Sequence, residues 1–73
     1  MSGKKYRYKS VVLYVKQYPA PNAESWGTFF VDRRGYERAY TTIGLPLGHA
    51  TEAEAQAALD AFAAAQGLRE ARK

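Results

Sequence analysis

Cysteine is absent from this chain, and with it any disulfide framework or thiolate metal site. A chain without disulfides fits a reducing compartment. Histidine occurs once, as His49, among glycine, proline and the start of a helix. It has no carboxylate pair at ligand spacing beside it, so no metal is assigned. Ser10, Ser25 and the threonines lack a base and an orienting group. Gly44, Pro46 and Gly48 do not form the strand–glycine–helix pattern that cradles phosphates. No catalytic residue is therefore assigned. The chain reads as non-enzymatic, with no cofactor and no small-molecule ligand.

Long apolar runs are missing too. The stretch from Val11 to Val15 falls short of the roughly 7–15 residues of a signal-peptide core and far short of the roughly 18 of a membrane span. The expectation is a cytoplasmic protein with no membrane partner. With 73 residues, it makes one small domain over its whole length. Such chains bury only about 60% of their unfolded surface, so a second copy or a protein partner would add burial where it is scarce.

What the chain does have is basic charge, unevenly placed. The net charge is +4. Lys4, Lys5, Arg7, Lys9, Lys16, Arg33, Arg34 and Arg38 outnumber Glu24, Asp32 and Glu37 in the first half. From Thr51 to Gln66 the charges are Glu52, Glu54 and Asp60 alone, and Arg69, Arg72 and Lys73 lie beyond. A folded molecule would carry a positive sheet side and a negative helix side, a polarity suited to a polyanion.

The pattern is β-β-β-α: an α+β fold with a three-stranded antiparallel sheet packed on one C-terminal helix. Residues 5–18, rich in Tyr and Val and free of glycine and proline, read as one long strand. Pro19, Pro21 and Asn22 end it. Residues 25–32 form a second strand, and Asp32-Arg33-Arg34-Gly35 a hairpin connection. Residues 36–43 form the third. Thr51 and Glu54 make a capping-box pattern, alanine-rich residues 52–66 make the helix, and Gly67 stands at its left-handed cap. Ala55, Ala58, Leu59, Phe62 and Ala65 form its apolar stripe, with Gln56 and Asp60 away from it. Residues 1–4 and 69–73 read as frayed ends.

One helix covers one sheet face, so function is expected on the other. Strand side chains alternate between faces, and two registers fit. In the first, Val11, Leu13, Val15, Phe29 and Val31 lie under the helix. The open face then shows Tyr14, Trp26, Phe30, Tyr36 and Tyr40 with Lys16 and Arg38, an aromatic platform interleaved with cations for unpaired bases and their phosphates. In the second, small alanines on the helix leave room for Tyr14, Phe30 or Tyr40 to point inward. A slip of one residue exchanges the faces. Arg33 and Arg34 at the hairpin tip could meet phosphates or enter a groove. Lys4, Lys5, Arg7 and Lys9, with Tyr6 and Tyr8, form a basic-aromatic segment whose plainer role is to protect a strand edge.

The stretch from Trp26 to Ala65 resembles the N-terminal arm-binding domains of tyrosine-type phage integrases. The likeness lies in the strand Trp26 to Val31, the charged turn Asp32-Arg33-Arg34-Gly35, the strand around Tyr36 to Tyr40, and the Thr-x-x-Glu-Ala helix start at Thr51. In that family a three-stranded sheet enters the DNA major groove, which implies the same role here for Arg33, Arg34 and Arg38. The first strand and the connection from Ile43 to Ala50 are longer than the family pattern.

These readings converge on a small phage- or bacterial-type module that binds DNA or RNA. Its candidate contacts are Lys16, Trp26, Arg33, Arg34, Tyr36, Arg38 and Tyr40. The alternative is a protein-interaction module, a homodimer, adaptor or inhibitor, using the open sheet face without nucleic acid.

Overall fold

A computed structural model describes residues 3–21, 24–46 and 48–71. The expectations at Met1, Ser2, Asn22, Arg72 and Lys73 lie outside them. The fold is α+β, with an antiparallel sheet and one C-terminal helix. Among the described residues the sheet has five strands rather than three, in the spatial order β4-β3-β2-β1-β5. The strands are β1 (Tyr6–Tyr8), β2 (Val11–Gln17), β3 (Trp26–Val31), β4 (Glu37–Ala39) and β5 (Arg69–Glu70), with helix α1 (Glu52–Gln66) before the last.

Two strands were invisible in the pattern for separate reasons. The stretch read as one strand over 5–18 folds back on itself at Lys9 and Ser10, so that Tyr8 pairs with Val11 and Tyr6 with Leu13. Lys9 makes this possible by adopting a left-handed backbone, φ 58°. A lysine does so at a penalty of about 1–2 kcal/mol, which is why nothing in the composition marks a turn. Tyr6 and Tyr8 recover that penalty by reaching the core. At the other end, residues read as frayed return to the sheet. After the Gly67 cap, Leu68 packs against the core and Arg69–Glu70 pairs with β1. The Ala71 N–H donates to the Lys5 carbonyl at 2.7 Å.

The third strand is shorter than residues 36–43. Beyond Ala39 the Tyr40 N–H still donates to Thr28, but the chain then turns. Thr42 and Leu45 bond to each other across Ile43 and Gly44. Gly44 holds φ 92°, and the turn drives Leu45 into the core at 1% exposure while leaving Ile43 at 96%. His49 then pairs with Trp26 through both backbone groups, at 2.8 and 2.9 Å.

The helix is as its sequence signals indicate. The Thr51 hydroxyl accepts from Glu54 N–H at 3.1 Å. Glu54 in turn accepts from the Ala50 N–H at 3.3 Å, one residue upstream of the usual capping-box partner. Gly67 closes the helix at φ 69° and ψ 33°. Ala55, Leu59, Phe62 and Ala63 are its buried residues, so Ala63 takes the place expected for Ala65, which is exposed. Asp60 does not lie away from the packed side. It accepts from the Tyr6 hydroxyl at 2.7 Å and from Gln56 at 2.9 Å.

Among the described residues Leu13, Leu45 and Leu59 are the largest fully buried side chains, and Tyr8, Val11, Val15, Phe30 and Tyr40 pack against the core they belong to. Among the described residues no helix is long and apolar enough to cross a membrane.

Candidate nucleic-acid interface

Alternation along the paired strands settles which residues lie on each face. Leu13, the centre of the helix-side face, is opposite Tyr6, and Val15 is opposite Thr28. Phe30 is opposite Arg38 on the same side. Tyr14 and Phe29 face each other on the outer side, as do Arg7 and Val12, and Val31 and Glu37. The first register therefore holds for β2, and the second for β3 and β4. Phe30 and Tyr40 turn inward, where their rings meet at 6.1 Å. Tyr40 also touches Tyr8 at 5.9 Å and Phe62 at 6.2 Å. Burial, then the Tyr8 hydroxyl, raises the pKa of Tyr40.

The candidate contacts divide accordingly. Lys16 lies on the outer face, its ammonium 5.9 Å from the Phe29 ring centre and bonded to Glu37. Arg33 and Arg34 are exposed at the hairpin tip. Arg38 lies on the helix-side face and donates to Asp32 Oδ2 at 2.6 Å. Trp26 starts β3 on that face, half-buried, with its backbone tied to His49. Tyr36 is 60% exposed just before β4, and Tyr40 is in the core cluster. The expected platform of Trp26, Phe30, Tyr36 and Tyr40 is not assembled.

The hairpin that carries Arg33 and Arg34 is fixed by its own residues. Gly35 N–H closes the turn on the Asp32 carbonyl at 2.9 Å, and Gly35 supplies φ 89°, which glycine adopts freely. The Asp32 carboxylate accepts from the Arg34 N–H at 2.9 Å and the Tyr36 N–H at 3.0 Å. Arg38 foremost, and these N–H groups after it, hold the Asp32 carboxyl below its usual pKa. The acid is thus consumed inside the turn, and the two arginine side chains project free of it.

On the outer face Phe29 is the floor. It is 6% exposed although α1 lies on the other face, because Tyr14 stacks beside it at 6.5 Å and Tyr18 closes over it at 5.0 Å. Gly27 makes room for Tyr18: a Cβ there would sit 2.6 Å from the Tyr18 ring. The Lys5 ammonium stands 5.8 Å from the Tyr14 ring centre. The Tyr14 hydroxyl donates to Glu37. Burial, then that bond, raises the Tyr14 pKa, while Lys16 and then Tyr14 lower that of Glu37.

Arg7 and Arg69 complete this face, opposite one another on β1 and β5. The sequence pattern places Arg7 in a basic-aromatic segment whose plainer role is edge protection, and Arg69 in a frayed end. The faint signal was Leu68, an apolar residue just past the helix cap, which announces a chain returning to the core. The outer face thus carries Lys5, Arg7, Lys16 and Arg69 around Val12, Tyr14 and Phe29, with Glu37 as its acid. The acids of the helix lie on the opposite side of the molecule.

No protein-family model, curated protein or solved structure matches this chain.

Proposed function

We propose that this chain is a small non-enzymatic nucleic-acid-binding module that holds the phosphate backbone with its outer sheet face and the Arg33–Arg34 hairpin. The observation that carries the reading is one uncovered sheet face on which Lys5, Arg7 and Arg69 have no acidic partner among the described residues. Cations without internal partners are available to displace counterions from a polyanion.

The same face argues for phosphate contact over base stacking. Phe29 is buried, Lys5 lies over Tyr14, and Tyr40 is in the core, so the broad ring surface that unpaired bases need is small. Contacts of this kind position a protein on its polymer with little sequence preference. The likeness of Trp26 to Ala65 to integrase arm-binding domains supports insertion of the Arg33–Arg34 tip into a groove. Arg38, turned to the other face and paired with Asp32, is given no base contact. The setting is cytoplasmic.

Fluorescence titration with duplex and single-stranded oligonucleotides at low salt tests the reading. Binding should weaken steeply as salt rises, with a slope set by the number of phosphates neutralised. Arg33→Ala with Arg34→Ala should weaken binding to every sequence alike. A protein that binds neither oligonucleotide at low salt removes the proposal.

A second reading rests on β4. Among the described residues its outer edge has no strand beside it, and Val31, Tyr36 and Ile43 are exposed nearby. A free edge of this sort takes another strand, from a second copy or a partner. Sedimentation over a concentration series separates the two, since association through β4 would persist at high salt.

A further inference from the structure

We infer that Arg7 and Arg69 form a clamp for a single phosphate group, and that filling it fastens the C-terminal edge strand to the sheet. The two arginines are direct cross-strand partners, and both are exposed. Side chains so paired share a face and leave their strands about 5 Å apart. Like charges in that position push the strands apart, and among the described residues neither arginine has an acidic partner. Glu70, the nearest acid in sequence, pairs with Tyr6 and so belongs to the other face. Lys5, two residues before Arg7 and just ahead of β1, lies on the same face beside Tyr14 and adds a further positive charge. Val12, on the other side of Arg7, offers no acceptor.

The strand that bears this repulsion can least absorb it. β5 is 2 residues long, and the Ala71 N–H bond to Lys5 follows it. A phosphate between the two guanidinium groups turns the repulsion into a bridge, because each planar fork can donate two parallel hydrogen bonds to the oxygens. A ligand that binds only the paired arrangement stabilises that arrangement. Phosphate should therefore tighten β5 on β1. The group is the same whether it is free phosphate or part of a nucleic-acid backbone; only the second source rests on the function proposed above.

The test compares the wild-type chain with the double variant Arg7→Gln, Arg69→Gln, in sodium phosphate and in sodium chloride at equal ionic strength. General salting-out by phosphate acts on both proteins, so the readout is the difference between their gains. The wild type should gain more in denaturation midpoint, and in chloride the double variant should be at least as stable as the wild type. Exchange of the Ala71 amide should slow with phosphate in the wild type alone. Arg69→Lys keeps the charge but loses the fork, and should retain part of the gain. Equal gains in wild type and double variant overturn the clamp.

With oligonucleotide, the double variant should lose about one unit of salt slope per arginine. An unchanged slope overturns the nucleic-acid backbone as the clamp's occupant while leaving nucleic-acid binding in place. A phosphate gain confined to the wild type, with no oligonucleotide binding, upholds the clamp for free phosphate and removes the nucleic-acid reading.

Discussion

The hydroxyl of Tyr6 donates to Asp60 Oδ1 at 2.7 Å across 54 positions of sequence, fastening the first strand to the middle of the helix. Gln56 donates to the same oxygen and to the Lys4 carbonyl, so Asp60 and Gln56 together tie β1 and the chain just before it to α1. Hydrogen bonds to a charged acceptor contribute about 1.5–3 kcal/mol, with the lower end fitting a half-buried group. Tyr6→Phe keeps the ring and removes the donor. It should lower stability in urea by about 1–2 kcal/mol, and an unchanged midpoint would show that the bond contributes nothing.

The bond to Asp60, reinforced by burial, pushes the Tyr6 pKa from near 10 up to about 12. The folded state therefore holds the phenolic proton more tightly than the unfolded chain. Its stabilisation is complete below pH 10 and lost as pH rises from about 10 to 12. Tyr14 and Tyr40 are raised as well and add to the alkaline loss. A midpoint series from pH 8 to 12 should fall steeply in the wild type and less steeply in Tyr6→Phe; parallel curves would contradict the coupling.

At the acid end the sign reverses. Asp32, held down mainly by Arg38, and Glu37, held down mainly by Lys16, release protons more readily when folded. Their contribution is present above the ordinary carboxylate range and is lost as pH falls through and below about 4. Asp32→Asn should flatten the stability curve between roughly pH 5 and 2. It should also loosen the hairpin, visible as faster exchange of the Arg34 and Tyr36 amides. A variant that keeps the acid slope of the wild type would show that Asp32 does not set it.

Lys9 offers a test of the hairpin that sequence patterns conceal. Its left-handed φ of 58° is strained for a residue with a Cβ and free of strain for glycine. Lys9→Gly should be neutral or stabilising by up to about 1 kcal/mol. In one continuous strand the same change would destabilise by a similar amount. Chemical denaturation reads the sign directly.

What was legible in the sequence follows from how locally each feature is encoded. Thr51, Glu54 and Gly67 act within a few residues of themselves, and the helix lies where they put it. Asp32 and Gly35 likewise determine their turn by bonds inside it. The Lys9–Ser10 hairpin is held instead by distant partners, Tyr6 by Asp60 and Tyr8 by Phe62, which meet only in the folded chain. Alternation along one continuous strand would set Tyr6 and Tyr8 opposite in face to Leu13, whereas the hairpin sets them on its side. β5 depends on where the helix leaves the chain, which no local pattern states. Arg69, one of the four cations of the outer face, goes with it. The Phe29–Phe30 pair was ambiguous because two adjacent rings make an apolar choice for either face.

That ambiguity supplies the sharpest check on the fold. Phe30 packs under the helix against Tyr40, whereas the neighbouring Val31 is 46% exposed on the outer face. Truncating a buried Phe to Ala costs about 3–5 kcal/mol, somewhat less for a ring left partly open. A domain this small has little more than that in total. Phe30→Ala should therefore be largely unfolded or melt far below the wild type. Val31→Thr keeps the branched shape on an open surface and should stay within about 0.5 kcal/mol. The reverse order, with Val31 the sensitive position, would mean that β3 pairs one residue out of step and that the outer and inner faces are exchanged.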